Sequence, residues 1–175
     1  MLDAALELFA EHGVSGTSLQ MIADHMGVTK AAVYYQFQAK EQIVLAVLEP
    51  ALTQMATVVA AGEAAPTHGE AAEVTVQGLV DLMIDHRQVV AALSHDPEFG
   101  RVMESNDEFR TLAERLGQLL TGPDPDPRRR VATSVLGAGL ARAGTDPTLA
   151  DVDDDALRVE MLRLCRLLLD AGVSR

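Results

Sequence analysis

Lys30, Ala31, Tyr34, Tyr35 and Gln36, followed by Lys40, gather cationic and hydrogen-bonding side chains into one short stretch. At helical spacing these residue types suit a nucleic-acid duplex. A lysine ammonium reaches a base edge or a phosphate, while a small Ala31 permits close approach and offers its methyl to a thymine methyl. Tyrosine hydroxyls suit phosphate oxygens, and their rings pack on sugars. Tyr34 and Tyr35 are the only two tyrosines in the chain, so either they meet DNA together or they pack their helix into a core. Lys40 suits a phosphate contact or a solvated helix start equally well.

No other constellation offers comparable chemistry. His86 and His95, with Asp85 and Asp96 beside them, lie across a break and lack the close spacing of zinc ligands. No metal site is expected there. The chain shows no nucleophile motif and no glycine-rich phosphate loop, so no catalytic residue and no cofactor are expected. Arg128-Arg129-Arg130 stands beside Asp124 and Asp126 and reads as a solvated, acid-paired cluster. His12, His25 and His68 read as surface residues. A single Cys165 excludes an intramolecular disulfide and suits a reducing compartment.

Helices must hold the 30–40 stretch in place. Leu2, Ala5, Leu6 and Phe9 recur on one face of a first helix, which Gly13 stops. Thr17 to Gln20 reads as a capping box that starts a second helix, buried through Leu19, Ile22, Ala23 and Met26. Gly27 ends it in a left-handed turn, and Thr29 caps a third helix from Lys30 to about Gln36. A helix, a tight turn at Gly27-Val28-Thr29 and a second short helix make a helix-turn-helix. Val28 and Val33 would tuck into its core, and the start of the last helix would project into a major groove. A fourth helix runs from Lys40 beyond Met55, with Pro50 expected to kink or interrupt it.

The remaining chain also reads as helical. Residues 60–69 form a linker, 70–93 a helix broken near His86, and 98–120 a further helix. Gly122 to Asp126 is punctuation, with Pro127 fit for the first turn of the helix that follows. Helices over 128–143 and 154–171 are separated by a turn at 144–147. Composition agrees, since 48% of residues are hydrophobic but only 3% aromatic, a mixture that favours helices and excludes an all-β fold. No secretory leader or apolar run of about 18 residues is visible. A soluble, cytoplasmic protein without a membrane partner is expected.

The stretch from Leu2 to Leu48 resembles the DNA-binding domain of TetR-family transcriptional regulators. The likeness rests on Ala4-Ala5-Leu6-Glu7-Leu8-Phe9, Gly13, Thr17, Ile22-Ala23, the run from Gly27 to Phe37, and Lys40-Glu41. It implies an all-α protein with a three-helix DNA-binding module over 1–48. The effector-binding and dimerisation bundle would then occupy 49–175. By that resemblance Thr17 and Ser18 meet phosphates at the start of the second helix. Thr29 stands at the start of the reading helix, Lys30, Ala31 and Tyr34 face bases, and Tyr35, Gln36 and Lys40 hold the backbone. Gln36 stands where many relatives have His, and Ala39 where a Ser or Asn cap is common. The chain begins inside its first helix, whereas relatives usually carry a basic arm ahead of it. Restoring such an arm is expected to tighten DNA binding.

The resemblance further implies a homodimer joined through the last two helices, bound to a double-stranded operator and released by a small-molecule effector. Gly137, Ala138, Gly139 and Ala141 permit close helix approach, and Leu162, Leu164, Leu167, Leu168 and Leu169 crowd the final helix. Those leucines either cross a dimer interface or bury within one chain. Met83, His86, Val90, Phe99, Met103 and Phe109 are candidates to line an effector pocket or, equally, to fill the core. The alternative reading is a helical interaction or ligand-sequestering protein that kept the fold and lost DNA binding, motivated by a formal charge of −12. Residues 1–48 carry Lys30 and Lys40 against Asp3, Glu7, Glu11, Asp24 and Glu41, a net −3. Such a head reads DNA through placed groups and helix N-termini, not a broad basic patch.

Overall fold

A computed structural model of the chain describes residues 1–171. The fold is all-α. Its helices are α1 (Leu2–Gly16), α2 (Leu19–Met26), α3 (Lys30–Gln36), α4 (Lys40–Glu63) and α5 (His68–Asp85). They continue as α6 (Arg87–Ser94), α7 (Pro97–Ser105), α8 (Asp107–Thr121), α9 (Pro127–Thr145) and α10 (Asp154–Ala171), with a 3-10 turn at Pro147–Leu149. Two compact units result. One joins Met1–Pro50 to Gln88–Phe109, and the other joins Ala51–Arg87 to the residues from Arg110 onward.

In the first unit the 1–48 segment is accompanied by a second stretch, 88–109, that lies far from it in sequence. Phe9, Val14, Ile22, Ala23, Val33, Ile43 and Val44 are fully buried there, and each large apolar side chain so buried contributes about 1.5–3 kcal/mol. Gly13 interrupts α1 with φ 75° and ψ 166°. A Cβ there would lie 2.6 Å from Asp96 Oδ2, so both the backbone angle and the close approach require glycine. Gly27 ends α2 in the left-handed conformation, φ 67° and ψ 28°.

Three expectations are corrected here. Ser18, not Thr17, caps α2, its hydroxyl accepting from Met21 N at 3.2 Å, while Gln20 donates to Asp24 on its own helix. The single helix expected over 98–120 is two. Asn106 leaves the helical region at φ −84°, ψ 112°, and its side chain accepts from Phe109 N to start the next helix. Pro50 does not interrupt α4, which runs unbroken from Lys40 to Glu63. That helix, of mean hydropathy 1.8, is long and apolar enough to cross a membrane by length and composition. In the fold, however, it buries Ile43, Val44, Leu48, Leu52, Met55, Val58 and Val59.

The second unit has a core of four-residue ridges. Ala72, Val76, Val80 and Ile84 of α5 meet Leu157, Met161, Cys165 and Leu169 of α10, with Leu136 and Leu140 of α9 beside them. Rows at this spacing interdigitate when two helices pack. Arg158 Nε donates to Asp81 Oδ1 at 2.9 Å and Arg166 pairs with Glu73, tying α10 to α5 along the rim. The Thr-x-x-Glu pattern at α5 makes a side-chain cap, where Thr67 Oγ1 accepts from Glu70 N and donates to the Glu70 carboxylate.

Arg128-Arg129-Arg130 is not a uniformly solvated cluster. Arg129 turns inward and donates to the Leu120 carbonyl through Nε at 3.0 Å and Nη2 at 2.7 Å. Its Nη1 donates to the Leu169 carbonyl at 3.1 Å. One guanidinium therefore serves late carbonyls of two helices.

Candidate nucleic-acid interface

The second and third helices are fixed by their ends. Ser18 and Gly27 bound α2, and Thr29 caps α3 by accepting from Ala32 N at 3.3 Å. Val33 anchors α3 with no exposed surface, whereas Val28, expected inside, is 38% exposed in the turn. With one anchor so placed, the rest of this seven-residue helix faces outward. Lys30, Ala31, Tyr34, Tyr35 and Gln36 are all exposed.

Exposure removes the core-packing alternative for the tyrosines. Tyr35 is 95% exposed and Tyr34 42%, so neither fills the core. Lys30 Nζ lies 5.2 Å from the centroid of the Tyr34 ring. This cation–π contact, about 0.5–1 kcal/mol at an exposed site, biases the lysine toward the outward face. The surface thus offers an ammonium, two phenol hydroxyls and a carboxamide around a small alanine. It is equipped to donate hydrogen bonds to base edges and phosphate oxygens.

Thr17 and Lys40 sit differently. Thr17 is 3% exposed, and its hydroxyl donates to Leu8 O at 3.1 Å and Gly13 O at 2.8 Å. Its side chain is structural and out of reach of a phosphate. Ser18 keeps an exposed position at the α2 N-terminus. Lys40 is no solvated helix start, for its Nζ lies 3.1 Å from Glu98 Oε2 and its side chain is only 17% exposed. With Ala39 unable to cap α4, Gln42 reaches back, its Oε1 accepting from Gln38 N at 2.8 Å.

The residues that hold this arrangement were missed by sequence reading. Asp96 caps α7 by accepting from Glu98 N at 2.8 Å. It also accepts from Ser15 N at 2.7 Å and Ser15 Oγ at 2.6 Å. Burial pushes the Asp96 carboxyl up, but the Ser15 hydroxyl and amide, the Glu98 amide and the Lys40 charge together hold it below its ordinary value. In the sequence Asp96-Pro97 reads only as part of a break before the helix expected from residue 98. Nothing local to it named Ser15 as the partner.

The candidate effector residues divide between the units. Val90, Phe99 and Phe109 are half-buried and Met103 buried in the first; Met83 and His86 are half-buried in the second. His86 Nε2 lies 2.8 Å from Gln54 Oε1, and Gln54 donates in turn to Asp85. A cleft of about 510 Å³ in the second unit is lined by Glu63, His68, Arg115, Gln118, Leu119 and Pro123, a set apart from these. Among the described residues no group of three or more His, Cys, Asp or Glu is placed to hold a metal ion.

Residues 1–47 match the family described as bacterial regulatory proteins, tetR family. The HTH-type transcriptional regulator SrpR of Pseudomonas putida is 48% identical over 48 residues, 27% of this chain and 22% of that protein. The HTH-type transcriptional repressor KstR2 of Rhodococcus jostii (strain RHA1) is 30% identical over 120 residues, 64% of this chain and 59% of the repressor. The chain therefore matches less than two thirds of the length of each. Across nearly the whole chain the fold is that of a TetR transcriptional regulator family member from Streptomyces coelicolor A3. The TM-score is 0.70 at 20% identity, covering 99% of this chain and 90% of that one.

Proposed function

We propose that the chain is a TetR-family DNA-binding transcriptional regulator acting as a ligand-released homodimeric repressor, a reading supported by the match of residues 1–47 to that family. The observation that carries the reading is the outward face of α3. A seven-residue helix anchored by Val33 presents Lys30, Ala31, Tyr34, Tyr35 and Gln36 to solvent, with Ser18 exposed at the neighbouring helix start. A helix so held enters a major groove by its N-terminal residues.

Dimerisation is supported by a second surface. Val131 and Val135 on α9, and Val159, Leu164 and Leu167 on α10, are 51–63% exposed. Gly137 and Gly139 on α9 have no side chain over them. Of the crowded leucines on α10, Leu169 is buried, Leu162 and Leu168 are half-buried, and Leu164 and Leu167 are exposed. The helix thus carries more apolar surface than one stripe inside the monomer covers. A second copy pairing α9 and α10 would cover it.

In a dimer the two α3 helices would engage half-sites one turn apart, about 34–36 Å. An effector would release the protein by binding more tightly to a conformation in which that spacing is lost. Met83 and His86 are the effector-site candidates in the second unit.

The direct test is footprinting of the protein on DNA flanking its own transcription unit, with Lys30→Ala and Tyr34→Ala as comparisons. A protected, inverted-repeat site lost in both variants supports the reading. Absence of any protected site, also with a basic segment added upstream, defeats it. A monomer by sedimentation would defeat the dimer.

A further inference from the structure

We propose that Glu98 is a built-in competitor of DNA phosphate, holding the Lys40 ammonium away from the operator. The proposal rests on the DNA-binding reading above and assigns a restraint within that head. Lys40 opens α4, four residues beyond Gln36, the last exposed residue of α3. A cation there stands next to the reading helix. Its charge is nonetheless already satisfied, with Nζ 3.1 Å from Glu98 Oε2 and the two side chains 17% and 20% exposed. An ion pair so covered is screened by salt far less than one in open solvent.

The competitor is held in place independently of the lysine. Glu98 sits in the first turn of α7, two residues after Asp96. Both carboxylate oxygens of Asp96 are occupied, Oδ1 by Ser15 Oγ and Glu98 N and Oδ2 by Ser15 N. Gly13 lets this carboxylate approach, because a Cβ there would collide with Oδ2. Asp96 thereby fixes the start of α7 on α1, and α7 delivers Glu98 to Lys40. Asp96 also feels the Lys40 charge, but its hydrogen bonds come from Ser15 and the Glu98 amide, and the direct ion pair of Lys40 is with Glu98. Of the two lysines in 1–48, Lys30 then meets DNA uncommitted, and any displacement of α7 that parts Glu98 from Lys40 adds the second.

This restraint is read in the salt dependence of DNA binding, because each phosphate neutralised by a cation adds about −0.9 to the slope of log K against log salt. Lys30 alone in two heads gives about −1.8 from these lysines, and freeing Lys40 brings it to about −3.6. Binding to a footprinted operator duplex would be measured between about 50 and 200 mM salt for the wild type, Glu98→Gln, Glu98→Gln with Lys40→Gln, and Glu104→Gln. Glu104, exposed on the same helix, removes the same charge away from the pair.

Glu98→Gln is expected to bind more tightly at low salt, with a slope steeper by about 1.8. Its affinity would then fall about twelvefold more than the wild type's over that fourfold salt range. The double variant should lose the added slope, and Glu104→Gln should keep the wild-type slope. An unchanged slope in Glu98→Gln, or an equal change in Glu104→Gln, overturns the proposal while leaving the regulator reading intact. If neither wild type nor Glu98→Gln binds any duplex, the regulator reading fails and takes this one with it. Circular dichroism melting of Glu98→Gln separates a loss of binding from a loss of fold.

Discussion

Replacing the middle arginine of Arg128-Arg129-Arg130 tests whether a charged triplet acts through one member. Arg129 donates three hydrogen bonds to the Leu120 and Leu169 carbonyls, at 2.7–3.1 Å. Both carbonyls lie in the last described turns of their helices, α8 and α10, where carbonyls commonly take side-chain donors. A hydrogen bond from a charged donor contributes about 1.5–3 kcal/mol net when buried. Arg129 is half-buried and two of its bonds share one oxygen, so the set is worth about 2 kcal/mol, toward the lower end of that range. Methionine preserves much of the stem packing and removes only the guanidinium. For a chain of this size 1 kcal/mol moves Tm by about 2–4 °C, so Arg129→Met should lower it by about 4–8 °C. Arg128 and Arg130 are exposed, and replacing either with glutamine should change stability by no more than about 0.5 kcal/mol. Arg129→Lys should fall between, because one ammonium lacks the fork that spans two carbonyls. Calorimetric or circular dichroism melting of the four variants decides it. Equal, small shifts at all three positions would mean the triplet is a solvated cluster and the two helix ends are held by something else.

Cys165 is buried, and burial pushes its thiol up to about 11; alkylation under mildly alkaline conditions should be negligible in the native protein and rapid in denaturant, and prompt native labelling would contradict the packing of α10. Thr17→Val should cost the head about 1–2 kcal/mol by removing the hydroxyl's bonds to the Leu8 and Gly13 carbonyls, with the salt slope of DNA binding unchanged; weakened binding at full stability would instead restore a phosphate role. Gly27→Ala meets no atom within 4 Å, so its cost is the left-handed backbone alone, about 1–2 kcal/mol on a denaturant titration. Because the Asp96 carboxyl is held below its ordinary 3.8, its stabilising effect is present above that value and is lost as pH falls through the lower folded value. Asp96→Asn should therefore flatten the acid limb of Tm against pH below about 4, and an unchanged limb would show that the Ser15 contacts do not matter to folding.

The helix-turn-helix was legible because each of its signals is local. Gly27 ends one helix, Thr29 starts the next two residues later, and Val33 supplies the anchor, all within one short segment. The outward set on α3 followed from that geometry. The choice between Thr17 and Ser18 was not legible, since adjacent hydroxyls both suit a cap. It is decided by tertiary carbonyls of α1 that accept from Thr17 and leave Ser18 to cap. Asn106 looked like one polar residue in an amphipathic run, yet its side chain competes successfully for a backbone N–H. Arg129 was misread because its partners are backbone carbonyls, which carry no residue-type signature. The Lys40–Glu98 pair joins segments far apart in sequence, and no local spacing announces it. Asp96-Pro97 marked a break before a helix without showing what the Asp96 carboxylate would hold.

The central claim is that α3 reads DNA through its exposed face. Enrichment of random duplexes on the whole protein, followed by sequencing, tests it with no operator sequence chosen in advance. The expected product is an inverted repeat whose half-site centres lie about 10–10.5 base pairs, or a multiple of that, apart. Lys30→Ala and Tyr34→Ala, folded as the wild type, are expected to abolish or redirect that motif. Failure to enrich any sequence, or an identical motif from both variants, would contradict it.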